Sequence, residues 1–181
     1  LHTKKSPWRE EHADLDGSGA AWKDQFLSDL VGSREKVEEI LNAFAADPTL
    51  GLVTAADSIV GKEFWGGDQR IVEQLMLRIE MSIDPDELEF ASGSMYWTRA
   101  FVLQGLRAFN LTSADFDEEK GQVDATTAHA IERIVGIVTD EAGLRTVEAP
   151  RLAKLASEPG YDARGWRRFE PGASRTAAAN V

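Results

Sequence analysis

The spacing of apolar residues along the chain predicts helices that alternate with short strands. In residues 24–33 and 34–47, apolar side chains recur every three or four positions, which is the spacing of one helix face. The same spacing recurs in residues 68–81 and 123–143. The short apolar run at residues 50–55 is bounded by turn residues and is typical of a buried strand. This alternation indicates an α/β layered domain, with helices packed on a short mixed sheet.

Residues that favour helix ends mark the boundaries of these segments. Gly32 is placed to end the first helix, Ser33 to cap the second, and Pro48 to stop it. Asp124 is placed to cap the fourth helix, which Gly143 then ends. The sequence therefore predicts four helices with defined starts and stops.

Weaker patterns connect and follow these helices. Residues 6–24 are rich in Gly, Ser, Asp and Pro and predict a loop. A strand is predicted near Phe90, followed by a Gly-Ser turn and an aromatic segment that fits a strand or the start of a helix. The periodicity is lost late in the chain, and residues 150–181 predict a poorly ordered tail. The domain is accordingly expected to occupy residues 1–149.

Composition excludes several classes of function. The chain has 31 acidic and 20 basic residues and a net charge of -11, which disfavours non-specific binding to nucleic acid or anionic lipid. A local basic pocket for a phosphate is still compatible with this charge. The chain has no cysteine, which excludes thiol chemistry and disulfides. No apolar run approaches the roughly 20 residues that cross a membrane, and no signal peptide is visible.

The stretch "HTKKS" near the start is one candidate for chemistry. His2, Lys4 and Lys5 follow an apolar residue in a short loop. Lysine offers a point charge to a diphosphate, and histidine offers a hydrogen-bond donor or a proton shuttle. An isolated basic dipeptide is more often a solvated terminus, and these residues alone favour that interpretation.

The stretch "DLDGSG" has the residue pattern that opens a calcium loop. Asp14, Asp16 and Ser18 match its ligand positions. The twelfth position, however, is Gln25, where a bidentate glutamate is needed. The two aspartates also fit the D-x-D metal site of nucleotide-sugar enzymes. Because Asp, Gly and Ser are common in flexible loops, a structural interpretation is favoured here.

The stretch "FASGSMYWTR" combines a turn with aromatic and basic side chains. Gly93 and Ser94 form the turn, and glycine lets a backbone approach a ligand closely. Tyr96 and Trp97 offer flat, amphipathic faces of the kind that stack on sugar rings. Arg99 fits a phosphate or a carboxylate. A core strand with a bend is an equally good interpretation of the pattern.

The stretch "GQVDATTAHAIER" places an aspartate at a helix start and titratable groups along the helix. The dipole stabilises a carboxylate there as the anion, as a general base requires, which makes Asp124 a candidate. At 100° per residue, His129 and Glu132 are neighbours on one face, and Arg133 lies one turn from His129. The structural alternative is an N-cap with an intrahelical ion pair. Buried charges in a mostly apolar helix make that structural alternative less favourable, because buried charges cost free energy unless they are paired.

These stretches occur together in one family. The chain resembles the rhamnan synthesis protein F family, polysaccharide-assembly proteins regarded as glycosyltransferases. The resemblance covers residues 1 to about 143 and rests, in family order, on "LHTKKS", "LVGS", "AFAADPTLGLV", "FWGG", "FASGSMYWTR" and "GQVDATTAHAIERI". Two departures affect the backbone. Ser92 precedes Gly93 where the family favours alanine, and Ala125 follows Asp124 where the family favours glycine.

The resemblance implies part of a GT-A-like nucleotide-sugar transferase. In that fold, an amino-terminal half binds the nucleotide on a parallel sheet, and a carboxy-terminal half supplies the acceptor site and an acidic base. The strand that precedes "HTKKS" in the family is reduced here to Leu1. We therefore expect an N-terminally truncated fragment, with residues 1–149 as the carboxy-terminal part of the catalytic domain. The implied reaction transfers a sugar, expected to be rhamnose, from a nucleotide-diphosphate donor to a growing cell-surface polysaccharide such as lipopolysaccharide.

The resemblance also implies a role for each candidate residue. Asp124 is the catalytic base that takes the proton of the acceptor hydroxyl. The residues that offset charge on the leaving diphosphate are His2, Lys4 and Lys5. The acceptor platform consists of Gly93, Ser94, Tyr96, Trp97 and Arg99. The supporting residues, expected to orient the base or to contact the leaving group, are His129, Glu132 and Arg133. No cofactor is certain, and a divalent metal (Mg²⁺ or Mn²⁺) is left open for the full-length enzyme.

The expected partners are a nucleotide-sugar donor and a glycan acceptor, without nucleic acid. The expected location is cytoplasmic, at the inner face of the bacterial membrane if the parent protein associates with it peripherally. The competing class is a non-catalytic glycan-binding or assembly module of a larger polysaccharide-synthesis protein. A calcium-binding module built on Asp14, Asp16 and Ser18 is a further alternative.

Overall fold

The computed structural model describes residues 19–118, 120, 122 and 124–155. Within those residues, the chain forms six α-helices and five short strands. The helices are α1 (Gly19–Val31), α2 (Arg34–Ala46), α3 (Gln69–Leu77), α4 (Ala100–Arg107), α5 (Thr127–Glu141) and α6 (Leu152–Leu155). The strands are β1 (Leu50–Thr54), β2 (Ile59–Gly61), β3 (Glu89–Ala91), β4 (Tyr96–Thr98) and β5 (Arg145–Glu148). None of the described helices combines the length and the apolar character that a bilayer-spanning segment needs.

The strands form two small sheets. In the larger one, β1 lies between β4 and β5, antiparallel to β4 and parallel to β5. The smaller sheet pairs β2 with β3 in antiparallel orientation. Every residue of β1 is buried, as expected of a central strand covered on both faces. This architecture confirms the predicted α/β class and the short mixed sheet.

Helices cover both faces of the larger sheet. The register of β1 shifts between Leu50 and Leu52, so these two side chains join different core clusters. Leu50 packs with residues of α1 and α2, whereas Leu52 packs with Val102 of α4 and Val135 of α5. A third cluster joins α3, α5 and the buried Phe90 of β3. Helix α5 therefore contributes to two of the three clusters.

Close packing of α5 against β3 depends on a glycine. A Cβ atom at Gly136 would lie 2.1 Å from the carbonyl oxygen of Glu89 and 2.7 Å from Cβ of Phe90. Any side chain at this position would force the helix away from the strand. Helix α5 is consequently held against the smaller sheet, and its first turns carry the candidate site described below.

Most of the predicted helix boundaries are confirmed, but one is wrong. The Ser33 hydroxyl accepts from the backbone of Lys36 and caps α2, as predicted. Asp124 does not cap α5, because the N-cap is Thr126, whose hydroxyl accepts from the backbone N–H of His129. Both residues suit an N-cap by type, and the choice depends on the path of the chain before the helix.

The described chain continues past residue 149 as a short turn and α6. Leu152 of α6 is 6% exposed and packs into the cluster formed by α1, α2 and β1. Strands β2 and β5 are also additional to the predicted elements. They are three and four residues long, too short for a period of two to distinguish them from loop.

Asp47, at the end of α2, is expected to make stability depend on pH. Burial alone would raise the pKa of Asp47, but hydrogen bonds from Thr49 and the charge of Arg145 outweigh it and lower the pKa. A depressed folded-state pKa contributes stability that is present above the unfolded pKa and is lost as pH falls through the folded value. Asp47→Asn should therefore lower the free energy of unfolding by about 1–3 kcal/mol at pH 7.

Urea unfolding at pH 7 and at a pH below the lowered folded-state pKa measures this effect of Asp47. The difference between Asp47→Asn and the wild type should shrink at the lower pH, where the carboxylate is protonated in both states. A difference that is the same at both pH values would show that the charge of Asp47 does not stabilise the fold.

Candidate functional site

The carboxylate of Asp124 lies against a pair of glycines from a distant part of the chain. Its Oδ2 accepts from the backbone N–H of Gly67 at 3.0 Å. Gly66 has a positive φ of 51°, and a Cβ atom there would lie 2.3 Å from the same oxygen. Only glycine allows the "FWGG" loop to approach the carboxylate in this way. This contact joins two motifs that are 57 residues apart.

Two side chains hold the glycine pair in place. Trp65 is 7% exposed, and its indole N–H donates to the carbonyl of Pro85 at 2.9 Å. The carbonyl of Phe64 accepts from Nη2 of Arg133 at 2.9 Å. The loop is therefore tied both to the core and to α5, so its N–H group is fixed where it meets Asp124.

The segment between Asp124 and α5 is held in a strained conformation. Ala125 has a positive φ of 58°, which costs an L-residue about 1–2 kcal/mol. The cap residue Thr126 then places its Oγ1 2.7 Å from Nδ1 of His129. This contact orients the imidazole on the first turn of the helix, next to the aspartate loop. The strain explains why a glycine would suit position 125 better.

A buried cluster of three charged side chains lies beneath this loop. Asp68 is 0% exposed, Glu132 9% and Arg133 7%. Nη2 of Arg133 lies 3.2 Å from Oδ2 of Asp68, and Nη1 lies 3.1 Å from Oε2 of Glu132. The guanidinium also stacks 4.6 Å from the ring centroid of Phe90. Two carboxyl groups thus share one arginine inside the protein. We call Asp68, Glu132 and Arg133 the buried charge cluster.

The buried charge cluster is incompletely hydrogen-bonded within the described residues. Oε1 of Glu132 and Nε of Arg133 are buried without a hydrogen-bond partner there. The Asp68 carboxylate is contacted by Nη2 of Arg133 and by the backbone N–H of Ala125. Burial raises the pKa of Asp68, although the charges of Arg133 and His129 oppose that shift. Buried polar groups without partners cost free energy, and they concentrate at functional sites.

Tyr96 joins this region from the larger sheet. Burial raises the pKa of its phenol, and the charge of Glu132 raises it further. Tyr96 packs in the cluster that also contains Ile131 and Val135 of α5. The structure therefore brings Tyr96, from the predicted acceptor platform, close to Glu132, one of the predicted supporting residues.

The rest of the predicted acceptor platform has structural contacts. The indole N–H of Trp97 donates to the carbonyl of Leu30 at 3.0 Å. The guanidinium of Arg99 donates to three backbone carbonyls, at 2.6–2.7 Å, and these belong to Phe44, Asp47 and Leu50. These bonds connect α1, α2 and β1 to β4, which contains Trp97, and to Arg99, the residue that follows β4. The structure does not bring Trp97 or Arg99 to Asp124.

Gly93 and Ser94 form the predicted turn on the α1 side of the domain. Both have positive φ angles, of 87° and 53°. A Cβ atom at Gly93 would lie 2.5 Å from the ring of Trp22, so this glycine permits a close contact with α1. His2, Lys4 and Lys5, with Asp14, Asp16 and Ser18, lie outside the described residues.

Asp68 and the glycine pair are site residues that the sequence analysis did not assign. The signal was present in "FWGGD", where a glycine pair is followed by an acidic residue at the start of a helix. The sequence of this motif alone does not show that its glycine pair contacts Asp124. Within the described part of the chain, no group of three or more His, Cys, Asp or Glu residues is arranged to hold a metal ion.

The fit between Gly67 and Ala125 leads to a testable prediction. A Cβ atom at Gly67 would lie 2.7 Å from Cβ of Ala125. Gly67→Ala should therefore lower the free energy of unfolding by about 1–3 kcal/mol. Adding Ala125→Gly removes both the opposing methyl group and the positive-φ strain, so the double variant should regain most of that loss.

Urea unfolding of the two single variants and the double variant measures this coupling. Gly143→Ala provides a comparison, since that glycine has a positive φ of 69° but no atom within 4 Å of an added Cβ, so its cost is backbone strain alone. Ala125→Gly should not rescue Gly143→Ala. Additive effects of Gly67→Ala and Ala125→Gly would show that these residues are not in contact.

The fold and the site together define a mixed α/β domain in which a glycine loop holds an aspartate above buried charges. By sequence, the chain belongs to the rhamnan synthesis protein F family, which it matches over residues 1–144. This membership confirms the resemblance stated above and connects the chain with rhamnan and polysaccharide synthesis.

Two curated relatives are known from Xanthomonas campestris pv. campestris, from strains B100 and ATCC 33913. Each is named uncharacterized protein WxcX and is 36% identical over 160 residues. The match covers 88% of this chain but 22% of each relative's length. No solved structure matches the chain.

Proposed function

We propose that this chain is the acceptor-side region of a GT-A-like glycosyltransferase. The reaction transfers a sugar, with rhamnose as the proposed donor sugar, from a nucleotide diphosphate to a growing cell-surface polysaccharide. The observation that carries the proposal is the contact of Asp124 with the glycine loop above the buried charge cluster. Family membership supplies the polysaccharide context.

Asp124 acts as the general base in this proposal. Its carboxylate is partly exposed, and a single backbone N–H fixes it on one side. As the acceptor oxygen bonds to the anomeric carbon, its proton passes to Asp124. The bond between that carbon and the diphosphate oxygen breaks, and the diphosphate leaves with the electron pair. A positioned base of this kind contributes about 10²–10⁴-fold to a rate.

The residues around Asp124 position it in this proposal. Arg133 holds the carbonyl of Phe64, so it fixes the loop whose Gly67 contacts the base. His129 is oriented by Thr126 on the first turn of α5, and its charge acts on Asp68 in the buried charge cluster. The role of offsetting the negative charge on the leaving diphosphate is assigned to His2, Lys4 and Lys5, as the resemblance implies.

A non-catalytic glycan-binding or assembly module is the second candidate function. The observation that favours it is the partial coverage, since the matched region spans 22% of the relatives' length. A region of that size could bind an acceptor while another part of the protein performs a different task. In that case, Asp124 would bind a sugar hydroxyl without taking its proton.

Binding measurements on the full-length parent protein separate the two candidates. Thermal unfolding is recorded with a nucleotide-diphosphate rhamnose and, separately, with a rhamnose tetrasaccharide. The transferase predicts that each ligand raises the unfolding temperature, because an enzyme of this class binds both substrates. A shift with the tetrasaccharide but none with any nucleotide sugar would support the binding module and contradict the transferase.

A further inference from the structure

A cleft of about 460 Å³ lies between the two sheets, beside the last turns of α5. Its walls come from β5, from the β2–β3 sheet and from α5, which contributes Gly136 and Asp140. At 1.5 Å per residue, Asp140 lies about 16 Å along α5 from His129. The cleft is thus separate from the Asp124 site, although both lie along the same helix. Its volume is in the range of clefts that bind small ligands.

Two carboxyl groups that line this cleft form no salt bridge within the described residues. Glu89 of β3 and Asp140 of α5 both line it, and neither forms a salt bridge within residues 19–118 and 124–155. Partial burial raises the pKa of Glu89, and the charge of Asp140 adds to that shift. The two groups are therefore close enough to repel each other.

The arginines that line the cleft are already paired with other groups. Arg145 forms a salt bridge with Asp47 and donates to Thr49. Nε of Arg151 lies 3.5 Å from the carboxylate of Glu148. Within the described residues, the salt bridges of these two arginines are thus with Asp47 and Glu148, not with Glu89 or Asp140.

The third wall of the cleft is the outer edge of β5. Among the described strands, β5 pairs only with β1, and Thr146, Val147 and Glu148 line the cleft on its other side. An edge strand presents backbone N–H and C=O groups that can bind a ligand. Ile59 and Val147 add apolar surface next to these groups. The cleft thus combines carboxylates, backbone groups and an apolar patch.

This chemistry selects among ligand classes. A diphosphate would be repelled by Glu89 and Asp140, so a nucleotide-sugar donor does not suit the cleft. A divalent cation would lack ligands, since the described residues provide no group of three suitable side chains. A neutral glycan suits it, because sugar hydroxyls donate to carboxylates and the methyl group of a deoxysugar can contact the apolar patch.

We infer that the cleft between β5, β3 and α5 binds the acceptor glycan through Glu89 and Asp140, at a distance from the Asp124 site. This inference rests on the proposed function, because it concerns the acceptor of that reaction. The acceptor is recognised away from the reacting hydroxyl, and the carboxylates of the cleft exclude the donor diphosphate from this part of the acceptor site.

Calorimetric titration of the 181-residue chain with a rhamnose tetrasaccharide tests the inference. Glu89→Ala and Asp140→Ala should each weaken binding by about tenfold or more, since each removes hydrogen bonds to a charged acceptor. Glu89→Gln keeps one acceptor oxygen and should retain more affinity than Glu89→Ala. Glu39→Ala, on the exposed face of α2, is the matched control and should leave binding unchanged.

Competition with a nucleotide diphosphate completes the experiment. The nucleotide diphosphate should not displace the tetrasaccharide from the wild-type chain. Three results would each overturn the inference. The first is displacement of the tetrasaccharide, and the second is absence of tetrasaccharide binding at millimolar concentration. The third is unchanged binding by both Glu89→Ala and Asp140→Ala. Thermal unfolding of every variant identifies any loss of binding that comes from misfolding. If Glu89→Ala misfolds, the affinity of Glu89→Gln for the tetrasaccharide decides the result.

The proposed function is tested separately, by sugar transfer with the full-length parent protein. Asp124→Asn should slow that transfer by about 10²–10⁴-fold. If transfer occurs but Glu89→Ala and Asp140→Ala bind normally, the cleft is wrongly assigned and the proposed function stands. If these variants lose binding but no transfer is found, the cleft binds glycan and the proposed function is wrong.

Discussion

Asp124→Asn is expected to slow sugar transfer by the full-length parent protein by about 10²–10⁴-fold. The asparagine keeps the size of the side chain, and its carbonyl oxygen can still accept from the N–H of Gly67. The fold around the "FWGG" loop should therefore be preserved. Only the capacity to take a proton from the acceptor hydroxyl is removed. The expected loss is accordingly in kcat, with little change in the KM for the acceptor.

The transfer rate of Asp124→Asn is compared with that of Asp24→Asn, a change in an exposed side chain of α1. Asp24→Asn should transfer at the wild-type rate, and all three proteins should unfold at the same temperature. A near-normal rate in Asp124→Asn would assign the base to another residue. Loss of stability in that variant would instead show that the charge of Asp124 holds the loop.

Arg133→Met is expected to lower the free energy of unfolding by about 3–5 kcal/mol. Methionine can fill much of the space, but it leaves Asp68 and Glu132 buried without their shared partner. It also removes the hydrogen bond that ties the carbonyl of Phe64 to α5. The cost of an uncompensated buried charge dominates this prediction, because breaking a buried ion pair costs more than removing the whole pair.

Urea unfolding at neutral pH measures the effect of Arg133→Met. Arg34→Met, on an exposed arginine paired with Glu38, is the control and should change stability by less than about 1 kcal/mol. Adding Asp68→Asn to Arg133→Met should restore part of the loss, since it removes one unpaired charge. Equal effects of Arg133→Met and Arg34→Met would show that the buried charge cluster does not stabilise the fold.

The regular elements of this fold could be predicted because their patterns are local. The apolar spacing that defines α2 and α5, and the apolar run of β1, are present within single segments. Strand β5 could not be found in this way, since three of its four residues are polar and it pairs with β1, which lies far away in the sequence. The predicted N-cap of α5 was wrong for a related reason. Two suitable residues lie close together, and tertiary contacts decide between them.

The candidate site could be predicted only in part. His129, Glu132 and Arg133 share a helix face, so their spacing alone places them together. The contact of Asp124 with Gly67 joins residues that are far apart, and nothing in either segment indicates the other. Trp97 shows the opposite limitation. An aromatic residue next to a glycine turn fits a sugar platform, but here its N–H donates to Leu30 within the fold.

Product analysis of the full-length parent protein tests the central claim most directly. The protein is incubated with a nucleotide-diphosphate rhamnose and a rhamnose oligosaccharide, and the oligosaccharide is examined by mass spectrometry. The proposed transferase predicts an acceptor lengthened by one deoxysugar, with release of the nucleotide diphosphate. An oligosaccharide that binds the protein but is never lengthened, with any nucleotide sugar supplied, would contradict the claim.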